Sequence, residues 1–271
     1  MVNIRKAIIP AAGYGTRSLP ITKVVPKELF PIGSKPAIHY VVEEAVAAGI
    51  EEILIVVSRN KNMIIDYFDR SLELEAFLEK KNKLHLLEKT ETPDVKIQFT
   101  RQPFAMGLGD AILQGKNFVG NEPFAVLLPD DLFLFDEVAP LAEMIENCNP
   151  STSTILGLKK VELESLKNYG VVEQTELSSD VHRITGIIEK PEKNPPSDLA
   201  VIGRYVLSHR IFSILETLEP GVGDEIQLTD AIAELLKQQT CLGKVISAER
   251  FDIGVEDEYV ALVNRINARR D

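Results

Sequence analysis

Short aliphatic runs alternate along the first half of the chain with stretches whose apolar residues recur at helical spacing. Residues 4–10 form a short apolar run, and within 36–49 Ile38, Val41, Val42, Ala45 and Val46 fall on one helical face that ends at a glycine. Residues 52–57, Glu-Ile-Leu-Ile-Val-Val, are an unbroken aliphatic run of strand length. Such a run marks a parallel strand covered on both faces. The spacing then predicts one or two helices over 60–83, a strand over 95–101, a helix over 107–119 and a second buried strand over 123–129, with alternation continuing through residue 147. Strand alternating with helix in this way predicts a doubly wound, mostly parallel sheet.

The texture changes after Asn149-Pro-Ser151. Strand-like runs follow at 153–160, 170–175, 183–190 and 199–207, with a loop at 193–197 and little helix between them. Helices return over 208–218, 224–239 and 256–270, with a strand over 244–252. The expectation is one α/β domain over residues 1–271: a Rossmann-like mixed, mostly parallel sheet flanked by helices, with antiparallel strands added in the C-terminal half. No internal repeat or low-complexity tract interrupts it.

Composition adds boundaries. With 271 residues, 45% hydrophobic and 26% charged, the chain is of ordinary globular type. A chain of this length buries roughly 75% of its unfolded surface and needs neither disulfide nor structural metal to hold a core. Cys148 and Cys241 lie far apart, match no metal-ligand spacing and are expected to stay reduced, as in a cytoplasmic protein. The N-terminus carries positive charge before an apolar stretch, but residues 7–12 are too short for a signal peptide and are interrupted by Pro10 and Gly13. No apolar run approaches the roughly 20 residues needed to cross a bilayer. Neither secretion nor membrane insertion is expected.

A net charge of −11 argues against a partner such as nucleic acid or an anionic membrane. Its distribution is uneven. Arg5, Lys6, Arg17, Lys23 and Lys27 are the charged residues of the first 27, with no acid among them, so the rest of the chain carries more than the whole negative excess. Within that segment Ile8-Ile-Pro-Ala-Ala-Gly-Tyr-Gly-Thr-Arg17 is a buried strand emptying into small residues and two glycines, which lets main-chain N–H groups approach an anionic ligand. A tight β-to-α turn without a ligand would share this pattern. Two familiar alternatives fail. Ser18 stands where the dinucleotide fingerprint needs Gly or Ala, and no Gly-Lys-Ser/Thr closes a P-loop. The sequel favours phosphate: Arg17, Lys23 and Lys27 lie on a stiff stretch with Pro20, Pro26 and Pro31, and no acid precedes Glu28.

Ala11-Ala-Gly-Tyr-Gly-Thr-Arg17 followed by Pro26-Lys27-Glu28 resembles the signature of the sugar-1-phosphate nucleotidylyltransferases, and most closely the bacterial UTP–glucose-1-phosphate uridylyltransferases. The likeness continues in family order at Arg101-Gln102 with Gly107-Leu-Gly-Asp-Ala111, Leu128-Pro-Asp-Asp131, Tyr169-Gly-Val171, Glu189-Lys-Pro191, Gly203-Arg-Tyr-Val206, Gly223-Asp-Glu-Ile-Gln-Leu-Thr-Asp230 and Phe251-Asp-Ile-Gly254. Each motif alone is weak; the set spans nearly the whole chain.

The resemblance implies roles. Nucleotide is expected at Ala11, Ala12, Gly13, Gly15, Thr16, Arg17, Lys27, Glu28, Gln102 and Gly107, with Glu28 and Gln102 reading the uracil ring. The sugar phosphate is expected at Asp131, Gly170, Glu189 and Lys190. Asp130 follows the aliphatic run 125–128, past the carboxyl end of a strand where open α/β sheets bind ligands. Adjacent carboxylates there suit Mg²⁺, although a turn or helix cap would also use them. The family assigns the metal to Asp130, with Asp252 as a second carboxylate. Arg17, Lys27, Asp130 and Lys190 form the implied catalytic set. Residues 1–150 then serve mainly the nucleotide and 151–271 mainly the sugar phosphate.

The implied reaction joins UTP and glucose 1-phosphate to give UDP-glucose and pyrophosphate. A homo-oligomer is expected, a dimer being favoured, although inserts used by relatives for subunit contacts look reduced. The rival substrate is dTTP. A rival of another class is a nucleotide-sugar sensor without activity, against which stand Arg17, Lys27, Asp130 and Lys190. His39, His85, His182 and His209 match no motif and are expected in surface or structural roles.

Overall fold

Aliphatic runs with no polar face need cover on both sides, and the architecture supplies it. The computed structural model describes residues 3–149 and 152–269; the junction at 149–151 and the expected helix end at 270 fall partly or wholly outside them. In chain order the elements are β1 (Lys6–Ala11), a small hairpin of β2 (Pro31–Ile32) and β3 (Lys35–Pro36), α1 (Ala37–Ala47), β4 (Glu52–Val57), α2 (Asn62–Phe68), α3 (Leu72–Lys80), β5 (Lys96–Arg101), α4 (Leu108–Leu113) and α5 (Lys116–Val119). Then come β6 (Phe124–Leu127), β7 (Asp131–Leu134), α6 (Pro140–Ile145), β8 (Ile155–Lys160), β9 (Gly170–Glu176), β10 (Val181–Glu189) and β11 (Leu199–Leu207). The chain closes with α7 (Ile211–Leu215), α8 (Leu228–Leu236), β12 (Cys241–Val245), β13 (Glu249–Asp252) and α9 (Glu256–Ala268).

A nine-stranded sheet runs in the order β5-β4-β1-β6-β11-β8-β12-β10-β9. Its first four strands are parallel, with Ile8 beside Leu54 and Val126. β11 then enters antiparallel to β6 and β8, and β9 and β10 form an antiparallel pair at the far edge. A register shift between Ile184 and Gly186 bends β10, and the far edge comes round so that Val171 of β9 pairs with Ala200 of β11. The mixed sheet with antiparallel strands in the second half is the expected one.

Alternate side chains of each central strand enter two different cores. Ile53, Ile55 and Val57 pack with α1 residues Ile38, Val41 and Val42, whereas Leu54 and Val56 pack with Ile112, Phe212, Ile232 and Leu235 on the opposite face. Each such fully buried Ile or Leu contributes roughly 1.5–3 kcal/mol. Helix α1 ends at Ala47, with Gly49 at φ +86° past its last turn, as expected of a C-terminal glycine.

Two local expectations change. The helix over 107–119 is two helices, α4 and α5, separated at Gly115, where an added Cβ would meet Ile8 Cδ1 of β1 at 2.3 Å. The strand over 244–252 is also two. β12 pairs with β8 in the main sheet, whereas β13 leaves it and pairs antiparallel with β7, placing Asp252 opposite Asp131. Asp130 lies in a turn, and strand β7 follows it directly.

A buried charge holds the turn before β7. Arg204 of β11 is fully buried; its Nε and Nη2 donate to Glu44 of α1 at 2.9 and 2.7 Å. The same guanidinium donates to the carbonyls of Leu128 at 3.2 Å and Asp131 at 2.8 Å, bracketing Asp130. An ion pair survives burial only when its donors and acceptors are met in this way.

The Gly107-Leu-Gly109 segment docks main chain on main chain. Gly109 N–H donates to Ile226 O at 2.8 Å and Ile226 N–H to Met106 O at 2.7 Å. An added Cβ would stand 2.7 Å from Ile226 O at Gly109 and 2.8 Å from Glu225 Cβ at Gly107, whose φ is +97°. Gly109→Ala is therefore expected to lose about 1–3 kcal/mol of stability by overpacking. An unchanged midpoint in denaturant unfolding would show that the two segments separate freely.

Candidate active site

Strands β1, β4, β5 and β6 run parallel, so their carboxyl ends share one edge of the sheet, the edge at which open α/β sheets take ligands. Residues 12–17, 58–61, Gln102 and Asp130 all follow those ends. The turn after β1 places Gly15 at φ +64°, and Thr22 Oγ1 donates to its carbonyl at 2.8 Å. Residues 16–29 then form three short 3₁₀ turns, Thr16–Ser18, Ile21–Lys23 and Lys27–Leu29, which is the shaped loop that its prolines predict.

That loop returns Lys27 to the end of β6. Lys27 Nζ donates to Asp130 Oδ2 at 2.5 Å, and both side chains are largely buried. Arg17 Nη1 donates to Asp252 Oδ2 at 3.0 Å while Nη2 lies 4.0 Å from Asp130 Oδ2. Gly254 leaves room for this guanidinium, since an added Cβ would stand 2.6 Å from Arg17 Nη2. Gly254 N–H also donates to Asp252 Oδ1 at 2.8 Å. Burial opposes charge on Lys27 and Asp130, but each overcomes it for the other: the Lys27 ammonium is raised and the Asp130 carboxyl lowered from their ordinary values. Four residues expected at the reaction centre, from both ends of the chain, thus meet: Arg17, Lys27, Asp130 and Asp252.

Glu28 and Gln102 line the same cleft as Gly13, Gly15 and Lys27. Glu28 is only 1% exposed, and Lys61 Nζ donates to its two oxygens at 2.7 and 2.9 Å. Its carboxylate is therefore neutralised by an ammonium, a partner that the motif alone does not reveal. Burial lowers the Lys61 ammonium, and Glu28 opposes that shift. Gln102 is buried; its Nε2 donates to Gly107 O at 3.0 Å and Asp110 Oδ2 at 2.7 Å. The amide expected to answer both donors and acceptors of a base thus has its nitrogen engaged within the protein.

On the opposite side Glu189 ends β10, with Thr229 Oγ1 donating to its Oε2 at 2.9 Å and Lys190 Nζ 3.2 Å from its Oε1. Lys190 is half exposed and sits at φ +45°, a left-handed conformation uncommon for a residue with a Cβ. Its N–H donates to Tyr169 O at 3.0 Å. At Gly170 an added Cβ would meet Thr229 Cγ2 at 2.7 Å, so this glycine serves close packing.

Asp131, expected with the sugar phosphate, stands in the wall shared with Glu189 and Lys190, but its carboxylate is engaged by the protein itself. Its Oδ2 accepts from Gly203 N–H at 2.7 Å, and its Oδ1 is 2.5 Å from Arg250 Nη2, with both side chains 8% exposed. Burial raises the Asp131 carboxyl against the pull of Arg250. Arg250 lies over the Tyr169 ring at 5.1 Å and donates to its hydroxyl at 3.1 Å. Asp131 thus anchors β7 to β11 and β13 while its neighbour Asp130 faces the cleft. Lys61 and Arg250 are the residues here that sequence reasoning does not single out, whereas Asp110, Arg204 and Thr229 stand inside quoted motifs without a role of their own. Of those two, Arg250 had a signal, two positions before Asp252 on the same strand face.

Two clefts meet in this region. One, about 390 Å³, is lined by Gly13, Gly15, Lys27, Glu28, Gln102 and Gly107. The other, about 720 Å³, is lined by Arg17, Asp131, Tyr169, Gly170, Glu189 and Lys190. Thr16, Leu108, Leu128 and Asp130 belong to both walls, so occupants of the two would adjoin at Asp130. The nucleotidyl transferase family model matches residues 6–269. The chain belongs to that family.

A protein of Bacillus subtilis (strain 168), provisionally named a UTP–glucose-1-phosphate uridylyltransferase, is 53% identical over 260 residues, which span 96% of each chain. The structure of a UDP-glucose pyrophosphorylase complexed with UDP-glucose superposes with a TM-score of 0.85 at 40% identity, covering 98% of this chain and 100% of that one. UTP-bound UGPase from Acinetobacter baumannii gives 0.88 at 39% identity, covering 97% and 93%. The nucleotidyltransferase fold and enzyme class expected from the motifs stand.

Proposed function

We propose that this chain transfers the uridylyl group of UTP to glucose 1-phosphate, giving UDP-glucose and pyrophosphate. The observation that carries the reading is the pair of clefts adjoining at Asp130, one opening on the glycine turn and the other on Glu189 and Lys190. An oxygen of the sugar phosphate attacks the α-phosphorus of UTP, and the bond to the β-phosphate oxygen breaks as pyrophosphate leaves. The phosphate is already a good nucleophile, so no general base is needed. The protein brings two anions in line and neutralises the charge that develops. Lys27, buried beside Asp130, holds a fixed positive charge at the junction of the clefts. Arg17, half exposed, reaches from the glycine turn and suits the departing pyrophosphate. Lys190 and Glu189 hold the sugar phosphate and its hydroxyls.

Asp130 and Asp252 offer hard oxygen ligands on either side of Arg17, a donor set that fits Mg²⁺ completed by phosphate oxygens and water. Bound there, Mg²⁺ would neutralise phosphate charge. The same reading makes residues 1–271 one domain and takes a cytoplasmic homodimer as the working form. Cys148 and Cys241 are free and buried, and burial raises both thiols to about 12. No helix among the described residues is long and apolar enough to cross a membrane.

Pyrophosphate release over four nucleoside triphosphates and three sugar 1-phosphates tests the assignment. UTP with glucose 1-phosphate should give the highest kcat/KM, dTTP should follow because it adds only a methyl group, and CTP and ATP should trail far behind. A preference for dTTP would move the chain to the thymidylyltransferases. Release with no pair would leave nucleotide-sugar sensing as the reading.

A further inference from the structure

We infer that Asp110 sets the base preference of the nucleotide cleft by fixing the direction in which Gln102 presents its amide. The inference rests on the proposed uridylyl transfer and deepens it. Both hydrogens of the Gln102 amide nitrogen have acceptors inside the protein, Asp110 Oδ2 at 2.7 Å and Gly107 O at 3.0 Å. Turning the amide by half a revolution would set Oε1 against a carboxylate and a carbonyl, neither of which can donate. The amide direction is therefore dictated by chemistry.

Asp110 is itself held. Gln114 Nε2 lies 3.3 Å from Asp110 Oδ1 and 3.3 Å from its carbonyl, one helical turn along α4. The Gln102 main chain is tied to the end of β4 through an N–H donated to Val57 O at 3.0 Å. Among the described residues no group donates to Gln102 Oε1, and this nearly buried side chain lines the cleft beside Gly13 and Gly107. The cleft thus presents acceptors: Oε1 of Gln102 and the Lys61-paired carboxylate of Glu28. A uracil ring, whose N3 carries a proton, satisfies an acceptor there. A cytosine ring, whose N3 is itself an acceptor, leaves two lone pairs facing each other. Without the Asp110 carboxylate the Gly107 carbonyl alone would oppose the turned amide that offers its NH₂ to cytosine. Asp110 acts through Gln102, as a positioning residue.

The test compares the parent with Asp110→Asn, whose amide can accept or donate and so removes one of the two constraints on the Gln102 direction, and with Asp110→Ser as a second variant. Steady-state turnover with UTP and CTP is paired with calorimetric Kd values for the two nucleotides in the absence of sugar phosphate. The UTP-over-CTP preference should fall about tenfold in both measurements, through KM more than kcat, as expected when an unpaired buried polar group no longer penalises the wrong base. Asp110→Glu, which restores an acceptor, should recover part of the preference. Folded Asp110→Asn and Asp110→Ser with a preference within twofold of the parent, while Gln102→Ala loses it, would overturn the inference. A parent that binds UTP in preference to CTP yet releases no pyrophosphate would remove uridylyl transfer and leave the role of Asp110 standing.

Discussion

Lys27→Met should lower kcat by roughly 10²–10³, the cost of removing one preorganised electrostatic group from a reaction centre. The substitution keeps most of the side-chain volume and removes the charge. In the folded protein that charge lies 2.5 Å from Asp130 and lines the nucleotide cleft at its border with the sugar-phosphate cleft. It should act on the transition state, where negative charge concentrates on the reacting phosphates, more than on ground-state binding. The loss should therefore fall on kcat and kcat/KM together, with a small change in KM. Asp130 would still have Arg17 at 4.0 Å and some access to water, so the fold should persist, which circular dichroism and a melting curve can verify. A folded variant with kcat within threefold of the parent would reduce Lys27 to a counter-ion for Asp130.

The elements legible in the sequence are those whose surroundings are uniform along their length. Residues 52–57 read as a doubly covered strand because every residue of β4 after Glu52 is buried, odd positions entering one core and even positions the other. Residues 244–252 misled for the complementary reason. The apolar pattern runs on through Ile246 and Ala248, while the chain leaves β8 for β7, and periodicity cannot register a change of partner. The site divides in the same way. Arg17, Lys27, Asp130 and Asp252 belong to motifs, and the fold brings them together. Asp131 and Glu28 belong to the same motifs, yet each is engaged by a cation remote in sequence, Arg250 and Lys61. A motif records which residue types stand together; it does not record which of two adjacent carboxylates a buried arginine engages.

That division makes adjacent substitutions give opposite signatures. Asp130→Asn should lower kcat by roughly 10²–10³ and raise the Mg²⁺ concentration needed for half-maximal rate, because it removes an ionised oxygen donor at the junction of the clefts. Its stability cost should be the smaller of the two, since Arg17 keeps Asp252 at 3.0 Å and Lys27, though it loses its ion-pair partner, is more exposed than Arg250. Asp131→Asn should do the reverse. It leaves Arg250, 8% exposed, without its carboxylate, and a buried charge stripped of its partner destabilises by about 3–5 kcal/mol. Its melting temperature should drop while the Mg²⁺ dependence of the remaining activity keeps its midpoint. Mg²⁺ titrations of initial rate, run beside thermal melts of both variants, separate the two roles. Superimposable Mg²⁺ curves for the parent and Asp130→Asn would place the ion elsewhere. A shifted curve for Asp131→Asn at unchanged stability would return Asp131 to the ligand side of the cleft.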